Sequence, residues 1–431
     1  MISDNITRDG EGRLSFAGQR LDQLAKQYGT PLYLMDEQRI RANCRMYRRA
    51  FQSCFGENGK VLYASKAAAF KQLYRIVAEE GLWVDTVSGG EIYTALSAGF
   101  PAERIYFHGD GKTDEEIRFA LDKHVGCFVV DNLDELHTLS AEAKSRGVTQ
   151  KILLRITPGI DPHTYKAIST GTVDVKFGVA VETGQALAFV REALETKGVR
   201  VAGLHCHVGS EVFAEDVYER TVDIMARFMA ELRDKLGYVT EELNLGGGYG
   251  VRYVDTDPQA DIPARIAGVA ARLRQRMAEY GLPVPCFLME PGRSIVADAG
   301  MTVYTVSSVK RIPGYKQYAI IDGGMTDNPR YCLYGARYTV LNADRDGEAQ
   351  AIFDLAGRCC ESGDIVQPKV LLPADTGRGD HIAVCTTGAY NYSMASNYNR
   401  LGRPPVVMLR DGESYLAVRR ETNADVCALD V

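Results

Sequence analysis

Lys66 closes a short apolar run, Val61 to Lys66, in the stretch YASKA. A lysine leaving a buried strand is partly desolvated, which depresses its pKa and leaves a neutral amine able to attack a carbonyl. The position also suits a lysine that simply turns into solvent, and alone that plainer reading prevails. Two small-residue turns follow other apolar runs: HVGS at 207–210 and GGGYG at 246–250. Backbone N–H groups in such turns cradle phosphate, and glycine permits close approach. One glycine-rich turn is a weak signal, because many only close a tight loop; two on neighbouring strands point to a phosphate. GDGKT is not a P-loop, since its required first glycine would fall at Tyr106.

His205 and His207 form an H-x-H pair on one strand face, a spacing that metal hydrolases use. The chain has only seven histidines, and the rest lack carboxylates at matching strand ends. The preferred reading therefore stacks His207 on an aromatic ligand, makes His205 structural and expects no metal. Glu290, in MEPGRS, either pairs with Arg293 or faces a ring nitrogen and keeps it protonated. Cys360 and Glu361 lie in GRCCESGDI. A lone cysteine is usually a small buried hydrophobe, but the polar CESGD turn makes burial of Cys360 less assured.

These residues need a scaffold, and the chain repeats one. Apolar runs begin at Val61, Leu82, Arg104, Gly126, Lys151, Val201, Leu243 and Cys286, each ending in a polar or glycine-rich turn. Continuous apolar runs suit parallel strands buried on both faces. Helical stretches such as KQLYRIVAEEG, EIYTALSAG, DELHTLSAEAKSRG and PARIAGVAARLRQRMAEYG lie between runs. Eight such units predict a closed (β/α)8 TIM-like barrel, with an open doubly wound sheet as the alternative. Lys66, Asp85, Arg155, His207, the glycines from 246 and Glu290 then sit at strand C-terminal ends, where barrels place chemistry. After about residue 300, runs such as MTVYTVSSV and VVMLRDGESYLAVRRE read as a mainly antiparallel β domain. PLYLMDE, at 31–37, reads as a strand that joins it.

Bulk properties narrow the class. The chain has 431 residues and a net charge of −6, which argues against a broad grip on nucleic acid or an anionic membrane. No apolar stretch approaches the roughly 18 residues that span a bilayer, and Met1 to Gly10 shows no signal pattern. Ten cysteines are scattered without a C-x-x-C pair, so a reducing cytoplasm is the expected compartment.

Taken in order, the motifs YASKA, DTVSGGE, HGDGK, HTYKAISTG, KFGV, HCHVGS, LNLGGGYG, EPGRSIV, DNPRYCLYGARY, CESGD and GAYNYSMASNYN resemble the fold-type III, PLP-dependent basic amino-acid decarboxylases. The resemblance spans about residues 30–425. It implies an alanine racemase-like fold, with a barrel over 36–292 and a β domain from 1–35 and 293–431. The implied cofactor is pyridoxal 5'-phosphate. Lys66 would carry it, His207 would stack on its ring and Glu290 would bind its pyridine nitrogen. Ser210, Gly247, Gly248 and Tyr390 would hold the phosphate, with Gly292 and Arg293 in the turn after Glu290 helping. Asp85, Glu91 and Arg155 would form the polar network around lysine and ring. Arg293, Arg330 and Tyr334 would bind a distal substrate carboxylate, with Tyr390 also facing the substrate. Glu361 would take a distal ammonium, and Cys360 would donate a proton. The Cys360–Glu361 segment would complete the site of a partner subunit, so a homodimer is implied.

The implied reaction is decarboxylation of meso-2,6-diaminopimelate to L-lysine, because a second carboxylate needs planar arginine recognition and DNPR supplies it. A related decarboxylase for carboxynorspermidine, ornithine, arginine or a D-amino acid is the alternative. A catalytically silent homologue that binds PLP or a protein partner is another; Lys66, Glu290 and Cys360 are all present, which counts against it. A zinc hydrolase is the outsider. The chain departs from the family pattern at Gly109-Asp110-Gly111-Lys112, at Gly209-Ser210-Glu211 and at Asn399 to Pro405, without losing any chemical group assigned above.

Overall fold

The computed structural model describes residues 1–160, 175–347 and 349–431. The HTYKAISTG motif, at 163–171, lies outside the described residues. The chain divides into two compact units, one of 43–250 with 260–294, the other of 1–42 with 251–259 and 295–431.

In the first unit eight parallel strands close into a barrel. They are β1 (Gly59–Ala64), β2 (Trp83–Thr86), β3 (Ile105–Phe107), β4 (Cys127–Val130), β5 (Gln150–Thr157), β6 (Val199–His205), β7 (Glu242–Asn244) and β8 (Cys286–Met289). Each pairs with the next, and Phe287 to Met289 of β8 pair with Gly59 to Val61 of β1. That last pairing removes both sheet edges and excludes the open doubly wound alternative. Inside, Leu62, Tyr106, Cys127, Val129, Leu153, Ala202 and Leu288 form a dry layer, all but fully buried. It separates the two ends of the barrel, as interior side-chain layers do in this architecture.

The crossover helices start at polar residues just beyond the strands. Ser88 accepts the Glu91 N–H at the start of Gly89–Ser97, Thr113 caps Asp114–Asp122 with a capping box, and Asn132 caps Leu133–Ser145. Each cap satisfies an otherwise unpaired N–H and stops the strand from continuing. The strand ends therefore shed their side chains at fixed positions.

The second unit is a nine-stranded, mainly antiparallel sheet with a separate three-stranded sheet. Gly300–Ile312 is its central strand, flanked by Leu32–Asp36, Lys316–Ile321 and His381–Cys385, all antiparallel to it. Val406–Arg410 runs parallel to Leu32–Asp36. Among the described residues, no helix is long and apolar enough to cross a membrane.

Candidate active site

The C-terminal end of the barrel gathers the polar residues. Ala64 of β1 stands opposite Asp85 of β2, and a single 3-10 turn, Ser65–Ala67, then carries Lys66 out of the sheet. Lys66 is exposed, so the desolvation expected from its place at a strand end is not supplied by the chain alone. Its charge still reaches the rim: it draws on the Asp85 and Glu91 carboxyls and opposes protonation of His207. Burial pushes the Asp85 carboxyl up, more than His108 pulls it down. Asp85 is 2% exposed, and its Oδ1 is buried without a hydrogen-bond partner. Burial also pushes Glu91 up, to about 7, even though its Oε2 accepts the Val87 N–H at 2.7 Å.

Glu290, one residue past β8, is the centre of the rim. Asn244 at the end of β7 donates to its Oε1 at 2.7 Å, and His205 at the end of β6 meets Oε2 at 3.1 Å. His108, just beyond β3, brings Nε2 within 2.8 Å of Oε1 and 3.9 Å of Asp85. Burial would raise this carboxyl, but the two imidazoles together outweigh it and hold Glu290 well below the usual range. It is an ionised carboxylate in a dry place. Burial pushes His205 down to about 4, so its ring is neutral at pH 7 and donates Nε2–H to Glu290. Burial and then the Lys66 charge push His207 down as well, leaving a neutral ring.

Of the two partners foreseen for Glu290, Arg293 is excluded by its own ion pair. Arg293 Nη1 lies 3.0 Å from Glu211, and its Nη2 donates to Ser210 Oγ at 3.0 Å. His205, expected to be structural, sits on Glu290. Three side chains were passed over in the sequence: His108, Asn244 and Asp131. His108 lies in HGDGK, a motif of the resemblance that carries no assigned role for its histidine. The H-x-H pair does not act jointly; His205 groups with His108 and Glu290, whose ligand atoms lie within 4.8 Å of one another.

The glycine turns lie against each other. Val212 donates to the Gly248 carbonyl at 2.8 Å, and a Cβ on Gly248 (φ +117°) would meet the Gly209 carbonyl oxygen at 2.1 Å. A Cβ on Gly247 would meet the Glu290 carbonyl oxygen at 2.0 Å, and one on Gly292 would press on Ala64 and Ala67 at 3.0 Å. Among the described residues the Gly247 and Gly248 N–H groups meet no protein acceptor. N–H groups without a protein acceptor are the kind of feature that can receive an anion. Arg155 on β5 completes the unit: its guanidinium lies over Phe177 at 4.3 Å and 3.9 Å from Asp131, which accepts the Gly178 N–H at 3.0 Å.

The other unit holds the remaining candidates. Arg330 opens the short helix Arg330–Tyr334 and is 5% exposed, while Tyr334 at its end is half-buried. Tyr390 takes a left-handed φ of 61°, a conformation that is uncommon for a non-glycine residue. Cys360 and Glu361 are both exposed, with the Cys360 N–H donating to Asn399 Oδ1 at 2.8 Å.

Residues 37–297 match the family model described as pyridoxal-dependent decarboxylase, pyridoxal binding domain. The diaminopimelate decarboxylase of Bacillus subtilis is 43% identical over 421 residues, covering 97% of this chain and 95% of its own. That of Halalkalibacterium halodurans is 41% identical over 424 residues, covering 98% and 96%. The chain belongs to the diaminopimelate decarboxylase family. A solved family structure, the M. jannaschii enzyme in complex with L-lysine, superposes with a TM-score of 0.91 at 34% identity, covering all of this chain and 98% of that one. Membership makes the chain a PLP-dependent carboxy-lyase whose pyridoxal-binding domain lies within residues 37–297.

Proposed function

We propose that this protein decarboxylates meso-2,6-diaminopimelate to L-lysine and CO2, the last step of lysine formation. The observation that carries the reading is Glu290: a buried carboxylate kept ionised by two imidazoles, on a rim that also holds Lys66 and N–H groups that can receive an anion. That donor set fits pyridoxal phosphate. Lys66 would hold its aldehyde, Glu290 its pyridine nitrogen, and His207 its ring face. Ser210, Gly247, Gly248, Gly292, Arg293 and Tyr390 would hold its phosphate. The bound coenzyme supplies a sink for the electron pair left when CO2 departs.

The chain's residues do the rest. Glu290 stabilises a protonated ring nitrogen, because a carboxylate beside it favours the charged form. Asn244 and His205 fix the carboxylate's plane, and His108 Nε2 lies 2.8 Å from it and 3.9 Å from Asp85. Asp85, Glu91 and Arg155 set the charge around the Lys66 amine. Arg293, Arg330 and Tyr334 would hold the distal carboxylate, Glu361 the distal ammonium, and the Cys360 thiol would return a proton to the carbon that lost CO2.

We also propose a homodimer with shared sites. A thiol that protonates a carbanion works where water is excluded, yet Cys360 is exposed in the single chain. Ile352 and Leu371, directly paired across two strands, are 59% and 63% exposed, an apolar face suited to a second copy. A reducing cytoplasm suits ten free cysteines. The decisive experiment is CO2 release from the meso compound with and without added PLP, with ornithine run in parallel. PLP-dependent release from the meso compound alone is expected, and equal turnover of ornithine would overturn the substrate assignment.

A further inference from the structure

We propose that Tyr338 is the positioning residue for Arg330: its hydroxyl sets the plane of the guanidinium that receives the distal carboxylate. The inference rests on the reading above that Arg330 takes that group. Arg330 Nη1 donates to the Tyr338 hydroxyl at 2.7 Å, and both residues are buried. The guanidinium carbon lies 5.2 Å from the ring centre of Tyr253, 5.7 Å from that of Tyr338 and 5.9 Å from that of Tyr390. Tyr253 and Tyr338 meet edge to face, with centroids 5.4 Å apart and planes at 90°. Arg330 thus sits among three aromatic rings.

The rings are themselves held. The Tyr338 N–H donates to Gln367 Oε1 at 2.9 Å, and its hydroxyl lies 3.4 Å from Asn391 Nδ2. Thr339 grips the Tyr253 carbonyl through its N–H at 3.1 Å and its hydroxyl at 2.9 Å. A guanidinium presents its N–H groups in one rigid plane, and bidentate binding of a carboxylate depends on where that plane points. Ring faces restrain its tilt but leave rotation within the plane. The contact from Nη1 to the Tyr338 hydroxyl opposes that rotation.

The test is Tyr338→Phe in the PLP-loaded enzyme. It removes one oxygen and keeps the ring, so the packing around Arg330 persists. Losing a hydrogen bond to a charged group should raise KM for diaminopimelate by about tenfold or more, with kcat held within about twofold. The inhibition constant of L-lysine, which keeps a carboxylate, should rise by the same factor. That of cadaverine, which lacks one, should not move. In an Arg330→Lys background, which has no planar fork to orient, Tyr338→Phe should add less than about twofold. An unchanged KM, an equal rise for cadaverine, or full additivity with Arg330→Lys would overturn the proposal. If the unaltered enzyme itself failed to prefer lysine over cadaverine, the assignment of Arg330 would fail first, and that result is read before any variant.

Discussion

The barrel carries a buried carboxylate cluster at each end, and the two are built to opposite plans. At the N-terminal end Glu242, the first residue of β7, takes Lys60 and Lys151 at 2.7 and 2.8 Å on one oxygen and the Tyr106 hydroxyl at 2.9 Å on the other. Lys60 also lies over Trp83, and Lys151 over Tyr106. Burial raises the Glu242 carboxyl, but the two lysines outweigh it and hold it ionised. At the C-terminal end Glu290 is likewise ionised, yet Asp85 beside it is pushed up and keeps an orphaned oxygen, and Lys66 leaves the sheet. A cluster that only plugs a barrel can spend all its donors and acceptors. One that handles a ligand holds some back, which costs stability locally.

That contrast can be broken by mutation. Lys66→Ala should have the largest effect, abolishing the visible chromophore of the loaded enzyme and cutting turnover by about three orders of magnitude or more. A chromophore that persisted in Lys66→Ala, with borohydride reduction fixing the adduct on another lysine, would sink the assignment. Glu290→Gln should lower kcat by about 10²- to 10³-fold, because an amide cannot keep a ring nitrogen protonated; steady-state kinetics on the PLP-saturated protein would read it. Glu242→Gln should do the reverse. It leaves two half-buried ammonium groups without their anion and should cost roughly 2–4 kcal/mol in urea unfolding of the apoprotein, with kcat of whatever remains folded unchanged. A loss of kcat there would erase the distinction between the two ends.

The smallest effect is a slope. Glu91 holds its proton up to about 7 in the fold, whereas an unfolded glutamate loses it near 4.5. Between those values the folded chain binds more protons, so raising the pH through that window costs stability. Glu91→Gln should therefore lose less stability than the unaltered apoprotein between about pH 5 and 7.5. Parallel stability–pH curves would rule out the strain assigned to this carboxyl.

Much of this was legible in the chain. The repeated strand and turn pattern located all eight barrel strands, because buried parallel strands write themselves as continuous apolar runs. The ends of those runs marked Lys66, Asp85, His207 and Glu290, since polar residues after a buried strand have one exit. What it could not show was who meets whom. Glu290 faced two foreseeable partners in the sequence, and the fold gave it three others from β3, β6 and β7, while Arg293 turned to Glu211. His108 was hidden in a glycine turn, and Tyr338 in a stretch noted for Arg330 and Tyr334. Local periodicity is set by neighbours along the chain, so the residues alone determined the strands and the chemical groups at their tips. Closing the barrel brought together tips far apart in sequence, and only that closure decided which carboxylate stays charged and which is left without a partner.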